Sequence, residues 1–212
     1  MPRNPPRKPG RPRNPIPRER MLAVARGAFA ELGYSGASMN EIAGRAGIRK
    51  PSLFHHFPTK EALYVEAVGA ALAPLGELVA EASRSTGDFG ARLDRLSEMV
   101  VDYLSAHPET ARLLVREVLD SGPFLSAGGK QTVGAILGAV GEFLEQGMRA
   151  GAFREQDARH LALSIIAVHL FYWAADPLSG AQIEGSIFEA AEVASRRAAV
   201  VEHVRALVRV AT

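Results

Sequence analysis

The sequence contains no cysteine. A chain without thiols has no disulfide, no thiolate metal ligand and no thiol redox sensor, which agrees with a reducing compartment. It also lacks an apolar run of about twenty residues, the length that a membrane-spanning helix needs. Residues 161–175 come nearest, at about fifteen residues, and they include Ser164 and His169. The first residues are basic and have no apolar run, so no secretory signal is expected. We therefore expect a cytoplasmic protein with no membrane partner.

Patterns that carry enzyme chemistry are missing as well. There is no Ser-His-Asp order, no glycine-rich phosphate loop and no pair of inward carboxylates. His160 and His169 would lie on different faces of one helix, and the adjacent His55 and His56 diverge, so none of them makes a metal pair. We expect no catalytic residues, no metal and no cofactor.

Positive charge is concentrated at the start of the chain. The formal net charge is +2, yet residues 1–20 carry +6 and the remainder carries −4. Residues 1–17 are rich in proline and contain only two clearly apolar side chains, Met1 and Ile16. Such a segment buries too little surface to offset its ordering entropy. We expect a flexible basic arm over residues 1–17.

Residues 38–57 have the pattern of two short helices joined by a tight turn. Ser38 stands three residues before Glu41, the spacing of a capping box, so a helix is expected to begin directly after the serine. Gly47 follows where a left-handed residue ends a helix without steric cost. Pro51 suits the first turn of the second helix. This arrangement is a helix-turn-helix motif.

A first helix over residues 18–32 is expected to support the motif, giving a three-helix DNA-binding module over residues 18–64. In such modules the last helix enters the major groove. Leu53 and Phe57, four residues apart, should point to the core of the module. The polar side chains between them then face outward.

The run AGIRKPSLFHHFPTKEAL, residues 46–63, resembles the DNA-reading end of the TetR family of transcriptional regulators. The residues in register with the family pattern are Gly47, Leu53, Phe57, Lys60, Glu61 and Leu63. Two positions depart from it: Arg49 replaces a common capping Ser, and Phe54 replaces the usual Tyr, which removes a hydroxyl that could reach a phosphate. The resemblance implies an all-α protein that binds double-stranded DNA as a homodimer and responds to an unknown small-molecule effector.

The predicted DNA contacts divide by type. The predicted DNA-binding residues of the motif are Ser38, Arg49, Lys50, Pro51, Ser52, His55, His56 and Lys60. Lys50, Ser52 and His55 are expected nearest to base edges, whereas Ser38, His56 and Lys60 are expected on phosphates.

The basic arm offers one further candidate contact with DNA. Residues 8–13 resemble the Gly-Arg-Pro core of AT-hook peptides, in which an extended Arg lies in a narrow minor groove. Arg11 would occupy that position. A diffuse phosphate-binding arm and a solubilising tail are the alternatives.

Helical patterns continue through the rest of the chain without a strand signal. A long fourth helix is expected over residues 60–83, capped by Thr59 and bent by Pro74. Further helices are expected over residues 91–106, 108–119, 129–150, 157–175 and 182–210. We predict an all-α fold in which residues 65–212 form a helical effector-binding and dimerisation domain.

The helix over residues 157–175 is apolar almost all round, which predicts burial on two faces, the second against another copy of the chain. The predicted interface residues are Leu161, Ile165, Ile166, Leu170, Ile187, Ala194 and Val201. Candidate effector-binding residues are Met99, Tyr103, His107, Phe124, Phe143, His169, Tyr172 and Trp173. Aromatic residues at helical spacing are more often core filler than ligand wall, so core packing is the alternative for each.

Together these patterns predict a homodimeric, ligand-responsive transcriptional repressor that binds a near-palindromic operator. An activator of the same family is one alternative. A helical ligand-binding protein without specific DNA recognition is the other.

Overall fold

The computed structural model describes residues 16–179 and 185–209, which form α-helices and one π-helical turn and contain no strand. The helices are α1 Arg18–Gly36, α2 Met39–Arg45, α3 Lys50–His56, α4 Lys60–Arg84, α5 Phe89–Ala106, α6 Pro108–Leu119, α7 Lys130–Arg149, α8 Ala158–Ala174, α9 Asp176–Ser179 and α10 Ala190–Val208. The π-helical turn, Leu125–Gly129, leads into α7. The predicted all-α fold is confirmed.

Side-chain caps begin three of the helices where the sequence predicts them. The hydroxyl of Ser38 accepts the N–H of Glu41 at 3.2 Å, and Thr59 caps α4 in the same way at 3.0 Å. A carboxylate oxygen of Asp157 accepts an amide of the first turn of α8 at 2.8 Å. One detail of the capping box is wrong, because the Glu41 carboxylate accepts from Arg45 instead of reaching back to the cap.

Two predicted helix boundaries differ from the structure. The helical span of α1 reaches Gly36, although Gly33, with a positive φ of 72°, interrupts it where the sequence predicts its end. Helix α10 begins only at Ala190, since a turn closed by the Glu189 amide on the Ser186 carbonyl precedes it. The earlier part of that prediction, residues 182–184, lies outside the described residues.

Two clusters of buried side chains make up the interior. The first joins α1, α2 and α3 to the first half of α4, and it includes Leu113 of α6 and Phe124. The second joins the end of α4 to α5, α7, α8 and α10, with Trp173 fully buried within it. Helices α4 and α6 therefore connect the N-terminal module to the body.

Helix α4 is long and apolar enough, by length and composition, to cross a membrane, with a mean hydropathy of 1.5 over its best window. Within the structure it packs against α1, α5, α6 and α7, which accounts for its apolar character. Pro74 lies inside this continuous helix.

Gly147 on α7 provides a test of the core. A Cβ there would lie 2.1 Å from the ring of Phe153, which is buried. Gly147→Ala should lower the free energy of unfolding by about 1–3 kcal/mol through overpacking. Gly134→Ala, on the same helix with open space around it, should raise it by about 0.5–1 kcal/mol. Urea unfolding of both variants measures the difference, and equal effects would contradict this packing.

Candidate DNA interface and ligand cavity

Helix α3 exposes most of its side chains and is anchored to the module by two buried apolar residues. Leu53 and Phe57 are fully buried, as predicted, and they pack with Ile42 of α2. The outward side chains are exposed: Arg49, Lys50, Pro51, Ser52, Phe54, His55 and His56. Six of the eight residues assigned to DNA from the sequence are therefore exposed on α3 or at its N-cap, whereas Ser38 and Lys60 lie at the starts of α2 and α4.

The electrostatics of this surface favour an anion. Residues 42–60 contain four basic side chains and no acidic one. Arg45 is held by ion pairs to Glu31 and Glu41 at 2.6 and 2.8 Å. Arg49 and Lys50 make no ion pair with any described residue, so their charges are available to a ligand. Unpaired Arg and Lys side chains around an exposed helix are the footprint of phosphate binding.

Lys60 has a structural role that the sequence did not indicate. Its ammonium donates to the carbonyls of Tyr34 and Ala37 at 2.9 and 3.2 Å and lies 4.4 Å from the Tyr34 ring centroid. Two of its three donors are thus used within the module, which leaves one for a phosphate. Ser38 is similar, since its oxygen caps α2 and its proton remains available for donation.

Arg18 is a residue of this region that sequence reasoning missed. It donates to the Glu66 carboxylate at 2.6 Å and lies 4.4 Å from the Phe57 ring centroid. These contacts fasten the start of α1 to α3 and α4. Arg11, the predicted minor-groove contact, lies outside the described residues.

The body contains a cavity of about 330 Å³. Its walls come from α4, α5, α6, α7 and α8 together with Phe124 and Leu125, and nearly all of its lining is aliphatic. Its volume lies at the lower end of the range for small-molecule sites. Three polar side chains face it: Ser97, Glu117 and His169.

Each of those polar side chains is buried and has an atom without a hydrogen-bond partner among the described residues, namely Ser97 Oγ, Glu117 Oε2 and His169 Nε2. His169 Nδ1 lies 2.8 Å from the carbonyl of Ile165. Because a carbonyl only accepts, Nδ1 carries the proton. Burial lowers the pKa of His169 below its ordinary value. The ring is therefore neutral, and Nε2 is an acceptor.

The candidate effector residues separate into two groups. Phe124, Phe143 and His169 line the cavity. The others lie elsewhere: Met99, Tyr103, His107, Tyr172 and Trp173. The Tyr103 hydroxyl donates to the Ala71 carbonyl at 3.0 Å, and Trp173 is fully buried against Phe188. For Tyr103, Tyr172 and Trp173 core packing, the alternative weighed from the sequence, describes the contacts.

The predicted interface residues also need correction. Leu161, Ile165 and Ile187 are buried inside the protomer, so they are not accessible to a second copy. Ile166 and Leu170 are half-buried and line the cavity. Ala194 is exposed and Val201 half-buried. The outer face of α8 carries Leu163 and Phe171 instead, which are 55% and 64% exposed, and Leu163 also borders the cavity.

Among the residues that the structure describes, no three His, Asp or Glu side chains converge in a way that could hold a metal ion.

An exposed basic reading helix on a helical body with an internal cavity defines a helix-turn-helix DNA-binding regulator with a ligand-binding domain. The comparisons give the family. Residues 21–67 match the profile described as bacterial regulatory proteins, tetR family, and residues 91–204 match the tetracyclin repressor-like C-terminal domain. The chain belongs to the tetR family of transcriptional regulators.

Relatives and solved structures agree with this assignment. The chain is 30% identical over 167 residues to the HTH-type transcriptional activator FasR of Mycolicibacterium smegmatis, covering 76% of this chain and 75% of that protein. It is 28% identical over 160 residues to the HTH-type transcriptional repressor NicS of Pseudomonas putida, covering 73% and 74%. The crystal structure of FadR from Bacillus subtilis in complex with stearoyl-CoA superposes with a TM-score of 0.71 at 16% identity, over 90% and 99% of the two chains.

Arg49 and Lys60 make a matched pair for testing the interface. Arg49→Ala should weaken DNA binding and reduce the salt slope by about one, with little effect on stability, because the side chain is exposed and unpaired. Lys60→Met should also lower the free energy of unfolding by about 1–3 kcal/mol, since two part-buried carbonyls lose a charged donor. Salt-dependent DNA binding and urea unfolding measure the two effects. An unchanged stability for Lys60→Met would contradict its structural role.

Proposed function

We propose that the protein is a cytoplasmic, homodimeric transcriptional repressor that releases a near-palindromic operator when a small molecule enters the body cavity. One observation carries the proposal: α4 begins at Lys60 in the DNA-binding module and continues into the cavity wall through Val68, Leu72 and Leu75. Helix α4 thus contacts both the DNA-binding module and the cavity. A ligand that displaces it changes the position of α3.

The outer face of α8 supports the homodimer. Leu163, Ala167 and Phe171 follow one another at four-residue spacing, and all three are exposed. Helix α10 packs beside α8 and exposes the small residues Ala194 and Ala198. Large apolar side chains next to small ones suit close packing of antiparallel helices from two copies. Ala194 and Val201 thus remain candidates for the interface.

Two copies would place two α3 helices on one face of DNA. Recognition helices of such dimers read half-sites about 34 Å apart, one turn of the duplex, and the symmetry of the dimer makes the operator near-palindromic. Lys50, Ser52 and His55 are the proposed base-reading residues. Ser38, His56 and Lys60 are the proposed phosphate contacts, with Arg49 and Pro51 beside them.

The names of the relatives leave the sign of regulation to experiment. NicS is named a repressor and FasR an activator, and the chain resembles both to a similar degree. A repressor needs only that the ligand weakens operator binding, whereas an activator also needs a contact with the transcription machinery.

A genomic pull-down of DNA bound by the purified protein tests the regulator directly. We expect a small set of fragments sharing an inverted repeat, with half-site centres about one helical turn apart. The fragments captured by the Lys50→Ala variant should no longer share this inverted repeat. Capture of random fragments by the wild type would favour a helical ligand-binding protein without specific DNA recognition.

The dimer face has its own test. Phe171→Glu should dissociate the dimer, because an unpaired charge in a dry interface costs several kcal/mol. Leu119→Glu is the matched control, since Leu119 is an exposed apolar residue of similar kind, 77% exposed at the end of α6, and is not part of the proposed face on α8 and α10. Sedimentation velocity at micromolar concentration should find a monomer for the first and a dimer for the second. A monomeric wild type, or a Phe171→Glu variant that remains a dimer, would contradict the proposed face.

A further inference from the structure

The cavity has an unusual balance of polar groups. Among the described residues no Lys or Arg side chain lines it, and the one charged residue in its described lining is Glu117, which is 3% exposed. The neighbouring basic residues of α6 point elsewhere: Arg116 donates to the carbonyl of Glu31, and Arg112 pairs with Asp176 at 3.6 Å. Glu117 has no ion pair with any described residue. A buried carboxylate without a cation is an unfavourable arrangement that a suitable ligand would relieve.

The position of the Glu117 carboxylate is fixed by the local backbone. Oε1 accepts the N–H of Leu125 at 2.8 Å, at the start of the π-helical turn. A Cβ on Gly122 would lie 1.9 Å from Oε2, so only glycine allows the carboxylate to rest there. The carboxylate is therefore held in place through Oε1, and the Tyr64 hydroxyl approaches it from α4. Oε2 lies within normal hydrogen-bonding distance of no donor among the described residues, so it can still accept from a ligand. This is a preorganised acceptor.

The other two polar groups of the cavity are also able to accept. His169 uses its Nδ1 proton on the Ile165 carbonyl, so Nε2 offers a lone pair. Ser97 Oγ is buried and has no partner among the described residues. A ligand made for this cavity would therefore bring hydrogen-bond donors on an aliphatic body.

We propose that the cavity binds an apolar amine, with its ammonium group on Glu117 and its hydrocarbon part against the aliphatic walls. The inference rests on the proposed function, because it names the chemical class of the effector. An anionic head group is disfavoured inside the cavity, since it would meet a carboxylate and no cation. A fatty acyl ligand whose head group stays outside is the competing occupant, and it would not depend on Glu117.

Three probes that share one alkyl chain separate these possibilities: decylamine, decan-1-ol and decanoate, each used below its micellar concentration. Calorimetric titration of the full-length protein should rank decylamine first, decan-1-ol second and decanoate last. Glu117→Gln keeps the shape and the acceptor for Leu125, but it removes the charge. This substitution should weaken the binding of decylamine by about tenfold or more, which corresponds to one charge-assisted hydrogen bond. The affinity for decan-1-ol should remain nearly unchanged.

Gly122→Ala provides a second variant that keeps the charge. The added methyl group displaces the Glu117 carboxylate, so the binding of decylamine should again weaken relative to the binding of decan-1-ol. Circular dichroism and urea unfolding show whether both variants are folded. Tightest binding by decanoate, or equal loss of all three probes in Glu117→Gln, would overturn the amine assignment while leaving an effector cavity in place. Binding of none of the probes would overturn the cavity as an effector site as well.

Discussion

The packing of α1 against α4 and α6 is the contact on which the rest of the molecule depends. Phe29 of α1 is fully buried there, with its ring 4.8 Å from that of Tyr64 on α4, and Tyr64 lies 5.0 Å from Tyr34. Arg26 of α1 pairs with Glu109 of α6 at 3.1 Å. Because this cluster is continuous with the core under α3, the DNA-reading helix cannot move independently of α4 and α6.

The same contact gives a physical route from the cavity to the DNA. Glu117 faces the cavity and also approaches the hydroxyl of Tyr64. Burial raises the pKa of Tyr64 most, and the neighbouring Glu117 carboxylate raises it further. Tyr64 packs on Tyr34, and Tyr34 holds the ammonium of Lys60. A hundredfold loss of operator affinity requires that the ligand prefer the displaced state by about 2.7 kcal/mol. One or two polar contacts made in only one state supply a difference of that size.

Local chemistry explains why the DNA-binding module could be predicted from the sequence. Ser38 and Thr59 begin helices where they stand because a side-chain oxygen satisfies an amide of the first turn, an effect set by a few neighbouring residues. Gly47 takes a positive φ of 68° for an equally local reason. The inward positions of Leu53 and Phe57 follow from four-residue spacing. None of these features depends on distant parts of the chain.

Local sequence patterns could not separate the residues of α8 that line the cavity from those proposed for the dimer interface. Periodicity identifies an apolar face, but it does not say whether that face meets another helix, a cavity or a second copy of the chain. Leu161 meets other helices, Ile166 lines the cavity, and Phe171 is exposed, although all three are apolar residues of one helix. That distinction arises from how five helices pack around an empty space, which no single segment encodes.

Aromatic side chains are an incomplete signal for the cavity, because Phe124 and Phe143 line it whereas Tyr103 and Trp173 do not. The informative signal was a charge in an apolar stripe: Thr110, Leu113 or Leu114, and then Glu117 follow at helical spacing on the inner side of α6. An acid at the last of these positions is buried at a cost in desolvation unless something binds it. A core-facing Glu with no basic residue three or four positions away on the same face therefore indicates a ligand contact. In this protein that residue is Glu117, which lies between the cavity and Tyr64.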